Sequence, residues 1–287
     1  MGSKKILIID GNKRHTNDAQ QALGGKGTGA GYAAVLRQLE PTLECTVVTP
    51  AYDDYQSGRI APRDFHGAVI TGSAWHVYDS EPAVRNQLEL VTEVFEAGVP
   101  VFGSCWGLQL ANVVLGGRVA ANPRGKEVGI ARCIYKTAAG GEHPMLVGKA
   151  PVFNAIAIHT DIVTELPSGS TLLASNGNSD VQAVEIVQGD KCFWGVQYHP
   201  EFSLFDMAAI YQRYHDTLLA DGFVESSQAL QTLVNDYLSL DRNPRQLNLN
   251  WRYGFDQWVL DFDARTLELR NWLAYLAKQG TTLALSV

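Results

Sequence analysis

A cysteine at position 105 sits between two glycines in Gly103-Ser104-Cys105-Trp106-Gly107, directly after the apolar run Val99-Pro100-Val101-Phe102. In a Gly-x-nucleophile-x-Gly elbow the small flanking residues let the chain turn sharply from strand into helix. The central side chain is then lifted above the sheet in a strained but exposed position. The helix expected next, Leu108 to about Leu115, would aim its unpaired N–H groups at the sulfur and favour its anionic, nucleophilic form. Such a nucleophile needs a base elsewhere in the chain.

The stretch Gln197-Tyr198-His199-Pro200-Glu201 supplies a candidate. In extended backbone, residues two apart share a face, and Pro200 biases His199 toward extended geometry, so imidazole and carboxylate can lie side by side. The Glu201 carboxylate can hold one ring N–H and leave the other nitrogen to take the thiol proton. The remaining cysteines, Cys45, Cys133 and Cys192, sit in apolar strand-like runs where a free thiol behaves as a small hydrophobe. With no C-x-x-C pair and no zinc spacing, neither a metal site nor a cofactor is expected.

These groups need a scaffold. Apolar runs at Ile6–Ile9, Thr46–Val48, Ala68–Ile70 and Val101–Phe102 alternate with helical periodicity at Tyr32–Leu39 and Ala83–Ala97. Strands buried on both faces and alternating with helices predict an α/β fold with a mostly parallel open sheet flanked by helices. In such sheets the chemistry lies beyond the carboxyl ends of the strands, where the loops Asp10–Gly31 and Thr71–Ser80 and the Cys105 elbow emerge. Farther on come short strands, Val128–Tyr135, Val152–His159, Leu172–Ser175, Val181–Val187 and Cys192–Tyr198. The last two form an expected hairpin across Gln188-Gly189-Asp190. Helices are expected over Phe205–Leu219, Ser226–Leu240 and Ala264–Lys278, with little periodicity in Asp241–Phe255. This divides the chain into an α/β domain, residues 1–220, and a C-terminal helical extension, residues 221–287.

Composition agrees with an ordinary globular chain: 287 residues, 46% hydrophobic, 18% charged, with a net charge of −7. That charge and the absence of basic clusters argue against a nucleic-acid partner. The N-terminal apolar run Ile6–Ile9 is too short for a signal sequence or a membrane span, so a cytoplasmic protein with no membrane partner is expected. Met1-Gly2-Ser3 carries no weight as a lipidation signal, because Ile6 stands where Ser or Thr would be required.

Together, Phe102-Gly103-Ser104-Cys105-Trp106-Gly107-Leu108-Gln109 and Gly195-Val196-Gln197-Tyr198-His199-Pro200-Glu201 resemble the class I, or triad, glutamine amidotransferases, in particular stand-alone relatives of the glutaminase part of GMP synthase. The resemblance covers most of residues 4–215. It implies a flavodoxin-like glutaminase fold and a Cys105–His199–Glu201 triad that cleaves the glutamine side-chain amide through a γ-glutamyl thioester. It further implies an oxyanion hole from the backbone N–H groups of Gly72, Ser73 and Trp106. Gln109 matches the family's glutamine after the nucleophile, His159-Thr160-Asp161 resembles the loop holding the substrate's α-amino and α-carboxylate groups, and Glu127-Val128-Gly129 matches a further pocket-lining element.

The chain also departs from that pattern. Thr71-Gly72-Ser73 replaces the common Gly-Gly-Pro, His76 stands where serine is usual, and Ile158 replaces the serine before the His-x-Asp loop. His76 itself reads as a solvated loop residue or a substrate contact. No phosphate-binding Gly-x-x-x-x-Gly-Lys-Ser/Thr loop is present. Gly24–Gly31 has the wrong spacing and reads as a lid, a docking surface or simple disorder. If ammonia from glutamine is transferred, its acceptor lies on another chain, a synthetase partner. The alternative is a self-sufficient hydrolase acting on a γ-glutamyl amine or peptide. A non-catalytic module on the same fold is a third reading, and the filled triad speaks against it. In the tail, Leu230, Leu233, Val234, Tyr237 and Leu238, then Leu267, Leu269, Trp272, Leu273 and Leu276, form apolar stripes that pack on the α/β domain. The aromatic cluster Trp251, Tyr253, Phe255 and Trp258 could instead serve a homo-oligomer interface.

Overall fold

The computed structural model describes residues 3–284; Met1, Gly2 and Leu285–Val287, the two ends of the expected division, lie outside the described residues. Eleven strands are described: β1 (Lys5–Ile9), β2 (Glu44–Val48), β3 (Gly67–Ile70), β4 (Val101–Ser104), β5 (Arg118–Ala121), β6 (Glu127–Lys136), β7 (Val152–His159), β8 (Asp161–Glu165), β9 (Ser170–Ser175), β10 (Ala183–Gln188) and β11 (Lys191–Val196). Nine form one sheet in the order β2-β1-β3-β4-β11-β10-β9-β6-β7, and β5 pairs with β8 in a small second sheet. The run from β2 to β11 is parallel throughout. The hairpin β10–β11 begins the antiparallel half. The fold is therefore α/β, with a large sheet flanked by helices.

Alternation along β1 sets the two faces. Ile6 and Ile8 enter the core on one side with Tyr32, Leu36 and Phe102, whereas Leu7 and Ile9 enter the other with Val91, Phe95 and Leu108. Leu269, Trp272 and Leu276, from the helix Leu267–Ala284, belong to the first of these cores. A third core joins the helix Leu204–Arg213 to Ser227–Arg242 through Met207, Tyr211, Leu230, Val234 and Tyr237. Of the aromatic cluster, Trp251 is 85% exposed, whereas Phe255 is buried.

Two segments differ from expectation. Asp10–Gly31, expected as a loop, contains the helix Arg14–Ala22 and the first turn of the helix Thr28–Leu39. Neither shows an apolar stripe in sequence: the first buries only Asn17 and Gln20. Glycines weaken the start of the second. Side chains from elsewhere hold that start, because the Thr28 N–H donates to Asn17 Oδ1 and the Gly29 N–H to Asp10 Oδ2, both at 2.9 Å. Within Gly24–Gly31, residues 28–31 form the first turn of that helix, and residues 24–27 precede it. Asp241–Phe255 also holds a helix, Leu247–Tyr253, closed by Gly254 at φ 60°.

Candidate active site

Cys105 stands between β4 and the helix Trp106–Val114 with φ 52° and ψ −104°, a conformation that non-glycine residues adopt only under constraint. The constraint is visible. The Cys105 N–H donates to the Val196 carbonyl at 2.8 Å, tying the elbow to the end of β11. A β-carbon on residue 107 would lie 2.3 Å from the Ile70 carbonyl oxygen, and one on residue 103 would lie 2.6 Å from the Gly107 carbonyl carbon. Only glycine at both flanks lets the helix sit this close to the sheet. The Sγ also contacts the Ile158 carbonyl oxygen at 3.5 Å.

The loop after β11 brings His199 beside Cys105 in the wall of the same cavity, close enough for the sulfur to act on the imidazole electrostatically. The His199 N–H donates to the Ile156 carbonyl at 2.7 Å, which anchors the loop to β7. Nδ1 of the ring lies 2.8 Å from Glu201 Oε1, with both side chains 3% exposed. The ring stacks on Phe202 at 4.1 Å between centroids and 7° between planes. Burial opposes a charge on this imidazole, but the Glu201 carboxylate and the Cys105 sulfur outweigh it and push the His199 pKa up to about 10. The structure thus gathers Cys105, His199 and Glu201 into one buried group, in which His199 and Glu201 are hydrogen-bonded to each other.

Gly72 and Ser73 line the cavity above Cys105. The backbone N–H groups of Gly72, Ser73 and Trp106 have no hydrogen-bond acceptor among the described residues. The Trp106 indole is fully buried and donates to Gln87 Oε1 at 2.8 Å, so only the backbone of that residue is available to a ligand. Sequence reading missed what holds this loop. Asn12 Nδ2 donates to the Gly72 carbonyl at 3.1 Å, and Ser73 Oγ donates to the Gly11 carbonyl at 2.9 Å.

At the other end of the cavity, Gln109 Nε2 donates to the Asp161 carbonyl at 2.9 Å, and His159 Nδ1 contacts the same oxygen at 3.1 Å. His159, Thr160 and Asp161 all line the cavity. Glu127 and Gly129 do not; Lys126 and Val128, between and beside them, do. Glu127 stands behind His159, with Oε2 2.8 Å from Nε2, and Asn176 and Gln182 donate to its carboxylate. Burial works against its charge, yet these hydrogen bonds outweigh it and hold the Glu127 carboxyl below its usual range. The expectation that Glu127 and Gly129 line the pocket is corrected accordingly: alternation in β6 turns residues 127 and 129 away from the cavity and Val128 into it. His76 is partly solvated, with its side chain 40% exposed, but it is not free. Its Nδ1 lies 2.7 Å from Asp161 Oδ2, it stacks on Tyr78, and the Tyr78 hydroxyl donates to Asp161 Oδ1 at 3.2 Å.

The cavity itself is about 750 Å³. Its walls include Cys105, Tyr32 on the helix Thr28–Leu39, and the apolar side chains of Phe202, Ile210 and Leu218. Tyr32 also shares a 3.0 Å hydrogen bond with Ser104, the residue before the nucleophile. Among the described residues no group of three or more His, Cys, Asp or Glu side chains is arranged to hold a metal ion.

A strained cysteine elbow beside a His–Glu pair on a β2-β1-β3-β4-β11 sheet defines a class, and comparison with known proteins agrees with it. The chain belongs to the class-I glutamine amidotransferase family, whose profile matches residues 30–213. It is 32% identical over 282 residues to the gamma-glutamyl-L-1-hydroxyisopropylamide hydrolase of a Pseudomonas species, spanning 96% of this chain and 94% of that one. It is also 32% identical over 165 residues to the GMP synthase of Clostridium kluyveri, covering 58% of this chain but only 29% of that enzyme. In fold it is similar to a glutamine amidotransferase from Thermotoga maritima, with a TM-score of 0.67 at 16% identity, covering 96% of this chain and 99% of that one. A second, from Methylobacillus flagellatus, gives a TM-score of 0.63 at 20% identity, with 94% of both chains covered.

Proposed function

We propose that this chain hydrolyses γ-glutamyl amides whose amine portion is larger than the ammonia of glutamine, without a partner enzyme. The observation that carries the reading is the cavity of about 750 Å³ extending beyond Cys105, within the roughly 300–1,000 Å³ of sites for drug-sized ligands. The full-length similarity to a γ-glutamyl amide hydrolase supports it. The GMP synthase matches, which leave most of those enzymes uncovered, support only the shared amide cleavage.

In this reading Cys105 attacks the γ-carbonyl carbon as the thiolate, forming a C–S bond while the carbonyl electrons move onto oxygen. The N–H groups of Gly72, Ser73 and Trp106 receive that oxyanion; a donor of this kind is worth on the order of 10²–10³ in rate. Collapse breaks the C–N bond, and protonated His199, oriented by Glu201, gives its proton to the departing amine. Water, losing a proton to His199, then attacks the γ-glutamyl thioester and releases glutamate. His159, Thr160, Asp161 and Gln109 form the end that receives the glutamyl α-groups, with Glu127 orienting His159. Four free thiols suit a reducing compartment, which supports action in the cytoplasm.

The test is turnover by the isolated chain. Glutamate release from γ-glutamyl-L-1-hydroxyisopropylamide should exceed that from glutamine, and a glutamine-analogue electrophile should label Cys105 in mass spectrometry. Turnover of glutamine alone, rising with a co-purified synthetase, would replace this reading with that of an ammonia donor.

A further inference from the structure

A side cavity of about 300 Å³ adjoins the main one, and the two share Asn12, Ser73, Trp75, Arg213 and Tyr214 in their walls. The side cavity is completed by Lys13, His15 and their neighbours at the start of the helix Arg14–Ala22, and no acidic residue lines it. In a chain of net charge −7 this is unusual. Two nearby cations are neutralised, Arg14 by Asp54 at 2.7 Å and Lys126 by Asp221, whereas Lys26 in the wall of the main cavity has no ion pair among the described residues. Lys13 and Arg213 likewise have no carboxylate partner among the described residues. Lys13 Nζ sits 3.8 Å above the Trp75 ring centroid. The Arg213 Nη1 donates to Gln20 Oε1 at 3.3 Å, while its Nε is buried with no hydrogen-bond partner. Arg213 lines both cavities, and a guanidinium with no carboxylate partner suits a planar oxyanion in the space that its exposed atoms face.

Resting on the γ-glutamyl amide reading, we propose that the amine half of the substrate carries a carboxylate, as in a γ-glutamyl amino acid, and that Lys13 and Arg213 bind it. The linings favour this: Gln109, His159 and Asp161, proposed to receive the glutamyl α-groups, line the main cavity and not the side one. With the γ-carbonyl at Cys105 and its oxygen toward Gly72 and Ser73, the amine portion lies beside the wall that both cavities share, which includes Ser73, Ala74 and Trp75.

The experiment compares γ-glutamyl-L-alanine with γ-glutamyl-L-1-hydroxyisopropylamide, which differ by carboxylate against hydroxymethyl, on the full chain and its Lys13→Met and Arg213→Met variants. The expected result is a kcat/KM preference of about tenfold or more for the carboxylate substrate. That preference should shrink with added salt and be largely lost in either variant, while an unchanged circular dichroism spectrum and thermal midpoint report an intact fold. Equal turnover of both substrates, or a preference untouched by both substitutions, would overturn the carboxylate site alone. Failure to cleave either amide while glutamine is hydrolysed would overturn the γ-glutamyl amide reading with it.

Discussion

Gly72 backs directly onto the imidazole of His199: a β-carbon built at residue 72 would stand 2.5 Å from His199 Cε1. The loop expected to receive the oxyanion and the ring expected to move the proton are therefore in van der Waals contact, and neither can shift without the other. Gly72→Ala should push the two apart and lower kcat by on the order of 10²-fold, with KM moving less. Gly177→Ala, where an added β-carbon meets nothing within 4 Å, serves as the control. Near-normal kcat in Gly72→Ala would show that the contact is incidental.

The pH dependence follows from His199. Burial opposes its charge, but Glu201 and Cys105 raise its pKa from 6.5 to about 10. A folded-state value above the unfolded one means that the pair stabilises the fold fully below about pH 6.5 and that this contribution is lost as pH rises through about 10. The proposed proton donor is the same imidazolium, so kcat/KM should fall along the same alkaline limb. Glu201→Gln removes the charge and should move that limb toward neutral pH while costing about 10²-fold in rate. Cys105→Ala should abolish turnover altogether. An alkaline limb unmoved in Glu201→Gln, or equal losses in the two variants, would contradict this division of roles.

The Cys105 elbow and the His199–Glu201 pair were legible because each rests on contiguous residues: an elbow is a five-residue event, and His199 and Glu201 are neighbours in one turn. The groups that hold them act across long separations, and no local pattern announces them. Asn12 reaches the Gly72 carbonyl across 60 positions, and His76 meets Asp161 across 85. The parallel half of the sheet was legible for a similar reason, since strands buried on both faces read as short apolar runs. The helix Arg14–Ala22 was not, because what it buries is polar: Asn17, bonded to Asp10, and Gln20.

His76 gives a prediction that separates binding from chemistry. It and Tyr78 hold the two oxygens of the Asp161 carboxylate, which lines the cavity at the end proposed for the glutamyl α-groups. Removing one charge-assisted hydrogen bond of about 1.5–3 kcal/mol should loosen that carboxylate. His76→Ala should therefore raise KM for a γ-glutamyl amide by roughly tenfold or more and leave kcat within a few-fold. A drop in kcat at constant KM would instead put His76 on the side of the reacting carbonyl.

We further propose that residues 221–284 fold with the sheet rather than as an appendage. Trp272 is 1% exposed and lies against Phe102, the residue before the nucleophile elbow, with ring centroids 6.0 Å apart. Close by, Glu268 accepts a 2.6 Å hydrogen bond from Tyr198, the residue before His199, and pairs with the buried Lys149 at 3.2 Å. Both contacts join the last helix to the backbone that carries the proposed catalytic residues. Trp272→Ala should cost about 3–5 kcal/mol in urea unfolding and lower activity through the elbow it supports. Unfolding of the parent chain should be a single transition by fluorescence and circular dichroism alike. Two separate transitions, with Trp272→Ala affecting only one of them, would instead establish the helical segment as an independent unit.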